Sequence, residues 1–168
     1  MTKNRLQPWL RSAACCLSLL ALPAWALDAG APVPDVQLPG LNGTVSLAGL
    51  RSKVVYLDFW ASWCGPCRQS FPFMNELTAK YRAQGFEVVA VNLDARREDA
   101  DKFLAEVPAS FTLAFDARGD SARRYQVMGM PSSYLIGRDG KLIALHKGFR
   151  AEDRQDLEAR IQQALAAH

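Results

Sequence analysis

The sequence predicts an α/β fold with a central mixed β-sheet flanked by helices. Three observations carry this reading. Residues 53–59 (KVVYLDF) and 86–93 (FEVVAVNL) are continuous apolar runs rich in β-branched and aromatic residues, the pattern of strands buried on both faces. Each is followed by a segment with helical spacing, so the first part of the chain alternates strand and helix. The C-terminal part instead holds two strand-like runs about a turn and then a helix, which adds antiparallel strands to a parallel core.

The elements follow in order. Residues 28–40 are rich in Pro and Gly and read as an extended lead-in. Asn42-Gly43 is a two-residue turn signal, so a small N-terminal β-hairpin is expected over 36–47. Residues 67–84 carry Phe73, Leu77 and Tyr81 at four-residue spacing, with Met74 beside them; this predicts a helix stopped by Gly85 and kinked at Pro72. Residues 96–106 read as a short helix with a polar face, 111–115 as a strand and 119–126 as a short helix. The runs 133–136 and 141–146 flank the turn Arg138-Asp139-Gly140. Residues 151–167 close the chain as an amphipathic helix with Leu157, Ile161 and Leu165 in one stripe. His146, on the second of the two hairpin strands, reads as a surface residue with no role.

The chain has 168 residues, one domain's worth, and its 49% hydrophobic and 22% charged content is that of a globular protein. Lys and Arg number 20 against 17 Asp and Glu. The three excess cations, Lys3, Arg5 and Arg11, all lie in the first eleven residues, and the remainder is formally neutral. That balance argues against a nucleic-acid partner. Residues 12–26 are small and apolar and end in Ala24-Trp25-Ala26, an A-x-A cleavage signal preceded by Pro23. Residues 1–26 are therefore expected to be a secretory signal peptide. The apolar run is shorter than the roughly 20 residues that span a bilayer, and an uncleaved membrane anchor is the alternative. The mature chain, 27–168, would be a single domain in an oxidising compartment, with Cys64 and Cys67 as its only cysteines.

The chemistry sits in Trp63-Cys64-Gly65-Pro66-Cys67, between a buried strand and a helix. Cys64 falls at the helix N-terminus, where unpaired N–H groups and the helix dipole stabilise a thiolate, the attacking species in disulfide exchange. Cys67 lies one turn further in, placed to resolve a mixed disulfide. Pro66 suits the first helical turn, and Gly65 leaves the first sulfur accessible. C-x-x-C is also half of a zinc site, but there is no second such pair and the only histidines are His146 and His168. A structural disulfide between the two cysteines would close too small a loop to stabilise much. Asp58 is a carboxylate inside an apolar strand, where desolvation raises its pKa and suits it to exchange a proton with Cys67. Trp60 reads as core, and Trp63 as packed over the sulfurs on the docking surface. Met128 and Met130 near two thiols raise the alternative of a Cu(I) site made with Cys64 and Cys67.

The segment Asp58-Phe59-Trp60-Ala61-Ser62-Trp63-Cys64-Gly65-Pro66-Cys67 resembles the active-site strand and loop of thioredoxin. The lead-in 31–39, Asn42-Gly43, the stretch from Asp94 to Asp116, and Gly129-Met130-Pro131-Ser132-Ser133-Tyr134-Leu135-Ile136 resemble the TlpA branch of periplasmic thioredoxin-like proteins. This resemblance covers nearly all of the chain from residue 31. It implies a thioredoxin fold with a central αβ insertion, a redox-active Cys64–Cys67 disulfide, and neither a cofactor nor a bound metal. It also implies a cis Met130-Pro131 peptide facing the sulfurs, with Met130 and Pro131 joining Trp63, Gly65 and Pro66 in binding substrate. Asp58 follows thioredoxin, where many members of the branch carry Asn. Ser70 stands where cytochrome-maturation members often have Glu.

The implied activity is a thiol–disulfide oxidoreductase, a protein-disulfide reductase in the periplasm. Its clients would be proteins with disulfides in cytochrome c or copper-oxidase maturation, and its electrons would come from a membrane thiol donor. A monomer is expected. The alternatives are a disulfide oxidase or isomerase, and a non-enzymatic Cu(I) chaperone.

Overall fold

The structure, a computed structural model, describes residues 27–167. The expected signal segment, 1–26, lies outside the described residues. Seven strands form one sheet in the order β2-β1-β5-β4-β3-β6-β7. They are β1 (Gln37–Gly40), β2 (Gly43–Ser46), β3 (Val54–Trp60), β4 (Phe86–Asn92), β5 (Thr112–Phe115), β6 (Ser132–Ile136) and β7 (Leu142–Lys147). The helices are α1 (Gly65–Tyr81), α2 (Arg97–Glu106), α3 (Asp120–Arg124) and α4 (Asp153–Ala166). β3, β4 and β5 run parallel, while β6, β7 and the hairpin are antiparallel to their neighbours. The mixed sheet is the one the sequence predicts.

β3 is buried along its whole length because it sits between β4 and β6 with both faces covered. Its alternate side chains therefore feed two cores. Val54, Tyr56 and Trp60 join Cys64, Cys67, Phe71, Leu77, Leu157 and Ile161 on the face covered by α1 and α4. Val55, Leu57 and Phe59 join Val36, Leu47, Tyr125 and Tyr134 on the other face. Phe59, Tyr125 and Tyr134 pack there as an aromatic trio with centroids 5.0–5.8 Å apart.

Three local expectations are corrected. The hairpin turn is Leu41-Asn42, one residue earlier than expected: Gly40 pairs with Gly43, and the positive φ (+114°) falls on Gly43. Glycine tolerates that conformation without a Cβ clash. α1 begins at Gly65, two residues earlier than expected, contains Pro72 and ends at Tyr81; a 3-10 turn over Arg82–Gln84 then leads to Gly85 at φ +82°. On α4 Ala164 joins Leu157 and Ile161 as a buried residue, and Leu165, off the centre of the contact, packs partly buried against the same core.

The segment between Asp94 and Asp116 forms α2 and β5. It lays β5 parallel beside β4 and so joins the hairpin to the sheet. Trp60, Phe71 and Phe103 stack edge to face or tilted at 4.9–5.0 Å, tying α2 to α1 beneath the C-x-x-C segment.

Candidate active site

Cys64 is the N-cap residue of α1. Its backbone is extended, and its sulfur accepts a hydrogen bond from the Cys67 N–H at 3.2 Å. A cap sulfur in this position is held by an orphan N–H at the positive end of the helix dipole, which favours the thiolate once the pair is reduced. The two cysteines form a disulfide with Cα atoms 5.3 Å apart. Cys67 is wholly buried and Cys64 is 5% exposed, while Gly65 and Pro66 between them are exposed. The Ser70 hydroxyl donates to the Cys67 carbonyl at 3.0 Å, so it serves the first turn of the helix.

Trp63 is 74% exposed. It is the most exposed of the aromatic residues named around the motif and adjoins Cys64 in the chain. Trp60, by contrast, is fully buried as expected. The Met130–Pro131 peptide is cis. Met130 is half-buried against the cluster that holds both cysteines, Pro131 is buried, and Met128 is 88% exposed. The Ser132 hydroxyl donates to the Gly129 carbonyl at 2.7 Å and closes that loop on itself.

Asp58 is 1% exposed and shares its face of β3 with Tyr56 and Trp60, the face that packs on α1 and the cysteines. Burial pushes its carboxyl up to about 7, against the lowering effect of a hydrogen bond from Ser133. The Ser133 hydroxyl donates to Oδ1 at 2.6 Å, and Oδ2 is buried with no hydrogen-bond partner among the described residues.

Two groups escape the sequence reading. Ser133 stands directly opposite Asp58 across the β3–β6 pair, a neighbour that only the register reveals. Asp94, just past β4, is buried and accepts from the Ser62 N–H at 2.9 Å, the Ser62 hydroxyl at 2.9 Å and the Asn92 amide at 2.8 Å. This anchors the turn that carries Trp63 and Cys64 to the end of β4. Its signal was faint: a lone acid ending an apolar run. Asp94→Ala leaves the Ser62 N–H unpaired, and we expect it to lower stability by about 3 kcal/mol. Urea unfolding measures this, and a loss under about 0.5 kcal/mol, the scale of an ordinary surface substitution, would remove the anchor role. His146 is also corrected: it is half-buried, with Nε2 3.3 Å from Asp153 Oδ2.

A thioredoxin-like sheet bearing a helix-capping cysteine in disulfide linkage one turn from its partner defines a thiol–disulfide oxidoreductase. A family model described as Redoxin matches residues 28–161, and the chain belongs to that family. Its relatives include the thiol-disulfide oxidoreductase ResA of Bacillus thuringiensis subsp. konkukian, 33% identical over 129 residues, covering 76% of this chain and 75% of the relative. ResA of Oceanobacillus iheyensis is 35% identical over 130 residues, covering 74% and 68%. Among solved structures, a Chlorobium tepidum protein assigned as thiol:disulfide interchange protein DsbE is 59% identical. It matches with a TM-score of 0.83 over 84% of this chain and 100% of that one. The resemblance to the TlpA branch agrees with these relatives.

Proposed function

We propose that this oxidoreductase works as an exported reductant of protein disulfides, with Cys64 attacking and Cys67 resolving. The observation that carries the reading is Cys64 at the N-cap, its sulfur bonded to the Cys67 N–H, with buried Asp58 behind on the same face of the sheet. The reduced protein presents a Cys64 thiolate, which attacks one sulfur of a client disulfide. The client S–S bond breaks, a Cys64–client disulfide forms, and one client thiolate leaves and takes a proton from water. Cys67 then gives its proton to Asp58, and its thiolate attacks the Cys64 sulfur. The Cys64–Cys67 disulfide forms, the second client sulfur leaves as a thiolate and takes a proton from water, and two electrons have passed to the client.

Residues 1–26 support export to the periplasm by a signal peptide, with an uncleaved anchor as the alternative. No helix among the described residues is long and apolar enough to cross a membrane. Trp63, Gly65, Pro66, Met130 and Pro131 would form the client-docking face. The clients would be cysteines kept reduced for haem attachment or for copper insertion, and a membrane thiol donor would return the protein to its dithiol form. Gly65-Pro66 between the cysteines supports the reducing direction, because strong periplasmic oxidants usually carry another dipeptide.

The test is the reduction potential of residues 27–168 in glutathione or dithiothreitol buffers. A value below about −200 mV is expected, nearer thioredoxin at about −270 mV than a strong oxidant at about −120 mV. A value above about −150 mV would reverse the direction and make the chain a donor of disulfides.

A further inference from the structure

Asp58, Ser133 and His146 form a row across three strands. Asp58 pairs with Ser133 in the β3–β6 register, and Ser133 pairs with His146 in the β6–β7 register. Directly opposed residues share a face of the sheet, so the three point to the same side, the side covered by α4. The row starts at a buried carboxyl and ends at a partly buried imidazole on an edge strand. Beside it runs a cleft of about 130 Å³, lined at its inner end by Tyr56 and Ser133 and at its outer end by His146, Asp156 and Arg160. Tyr56 and Ser133 are buried, while Asp156 and Arg160 are more than half exposed, so the cleft runs from exposed α4 side chains inward to Ser133. Its volume accommodates several water molecules.

We propose that Ser133 is a positioning residue for Asp58 and that the cleft beside it carries the Asp58 proton to and from solvent while a client covers the disulfide face. This inference rests on the reading of Asp58 as the acceptor of the Cys67 proton. The Ser133 hydroxyl donates to the carboxylate and so favours its ionised form. It also accepts the carboxyl proton while passing its own to water in the cleft, which leaves a carboxylate and an unchanged hydroxyl. The need arises because burial raises the Asp58 carboxyl and so favours its protonated form, which holds in the reduced chain that meets a client as well. Chains in that form resolve the mixed disulfide only after that proton leaves, and the docked client seals the front. The groups that face this path are Tyr56 on β3, Cys67 on α1, His146 on β7, and Asp153, Asp156 and Arg160 on α4. The β4 residue opposite Asp58 is Ala90, which does not titrate.

The test is single-turnover reduction of insulin by the full chain, with oxidised glutathione as a small substrate that leaves the front open. Ser133→Ala should raise the pH midpoint of the resolving step by about one unit, the loss of one hydrogen bond to a charged group, and Ser133→Thr should restore it. Ala144→Leu fills the cleft, since Ala144 lines it. With insulin it should add a slow resolving phase that grows as pH falls, and with glutathione it should leave the rate at the parent value. An unmoved midpoint in Ser133→Ala, or parent-like insulin kinetics in Ala144→Leu, overturns the proposal. Asp58→Asn separates the two failures. If it slows both substrates while the other variants behave as parent, only the route is wrong. If it slows neither, the Asp58 reading fails and the route falls with it.

Discussion

Cys67→Ser is expected to end catalytic turnover and leave clients covalently attached to Cys64. The two sulfurs differ in surroundings: Cys64 is at the helix N-cap beside exposed Gly65 and Pro66, and Cys67 is wholly buried one turn in. Removing the buried one leaves the attacking thiolate intact but takes away the group that breaks the mixed disulfide. The hydroxyl of serine does not substitute, because only a thiolate displaces a thiolate in this exchange. Insulin reduction should fall to background. Non-reducing gels of cells producing the protein should show adducts that disappear with dithiothreitol and are absent from a Cys64→Ser, Cys67→Ser double variant. A Cys67→Ser chain that still turns over, or forms no adducts, would sink the assignment of attack to Cys64.

The second large effect is at Asp58 and appears in two independent readouts. In catalysis, Asp58→Asn removes the proton acceptor proposed for Cys67, and on that proposal turnover at pH 7 should fall by about 10²-fold, the low end for a general base. In stability, the sign follows from linkage. The folded pKa, raised from 3.8 to about 7, exceeds the unfolded one, so the folded chain binds more protons between those values. The parent is therefore most stable, as far as this group is concerned, below about pH 4, and it loses that stability as pH rises through 7. The loss amounts to at most about 4 kcal/mol. Asp58→Asn should remove this fall, which urea unfolding of the oxidised protein at pH 4.5 and pH 8 measures. Parallel pH profiles for parent and variant would show that Asp58 is not the buried titrating group.

Much of this was legible in the chain. The runs around Val55 and Val89 are short, apolar without alternation and rich in β-branched residues, as a strand covered on both faces is. Cys64 was placed by its position between such a strand and a helix-spaced segment, and Asp58 by the misfit of a carboxylate among apolar neighbours. What was hidden depended on pairing. Ser133 reads as a small polar residue until the register sets it opposite Asp58, and His146 reads as surface until β7 docks and α4 brings Asp153 to its ring. Asp94 reads as a strand end until its carboxylate is seen to hold Ser62. The hairpin turn moved by one residue because two adjacent dipeptides compete to close it, and the pairing of Gly40 with Gly43 decides between them.

The two cores lie on opposite faces of one sheet, and this divides the labour of the protein. Both cysteines, Trp60 and Tyr56 belong to one core, and the trio Phe59, Tyr125 and Tyr134 belongs to the other. The sheet acts as a bulkhead between them. Sequence drift or engineering in the aromatic compartment can change thermal tolerance while the redox compartment keeps its electrostatics. Ordinary volume changes beside Cys67 and Asp58 alter both at once. A lineage adapting this scaffold to a hotter or harsher milieu has one side of the bulkhead on which to do so without retuning its chemistry.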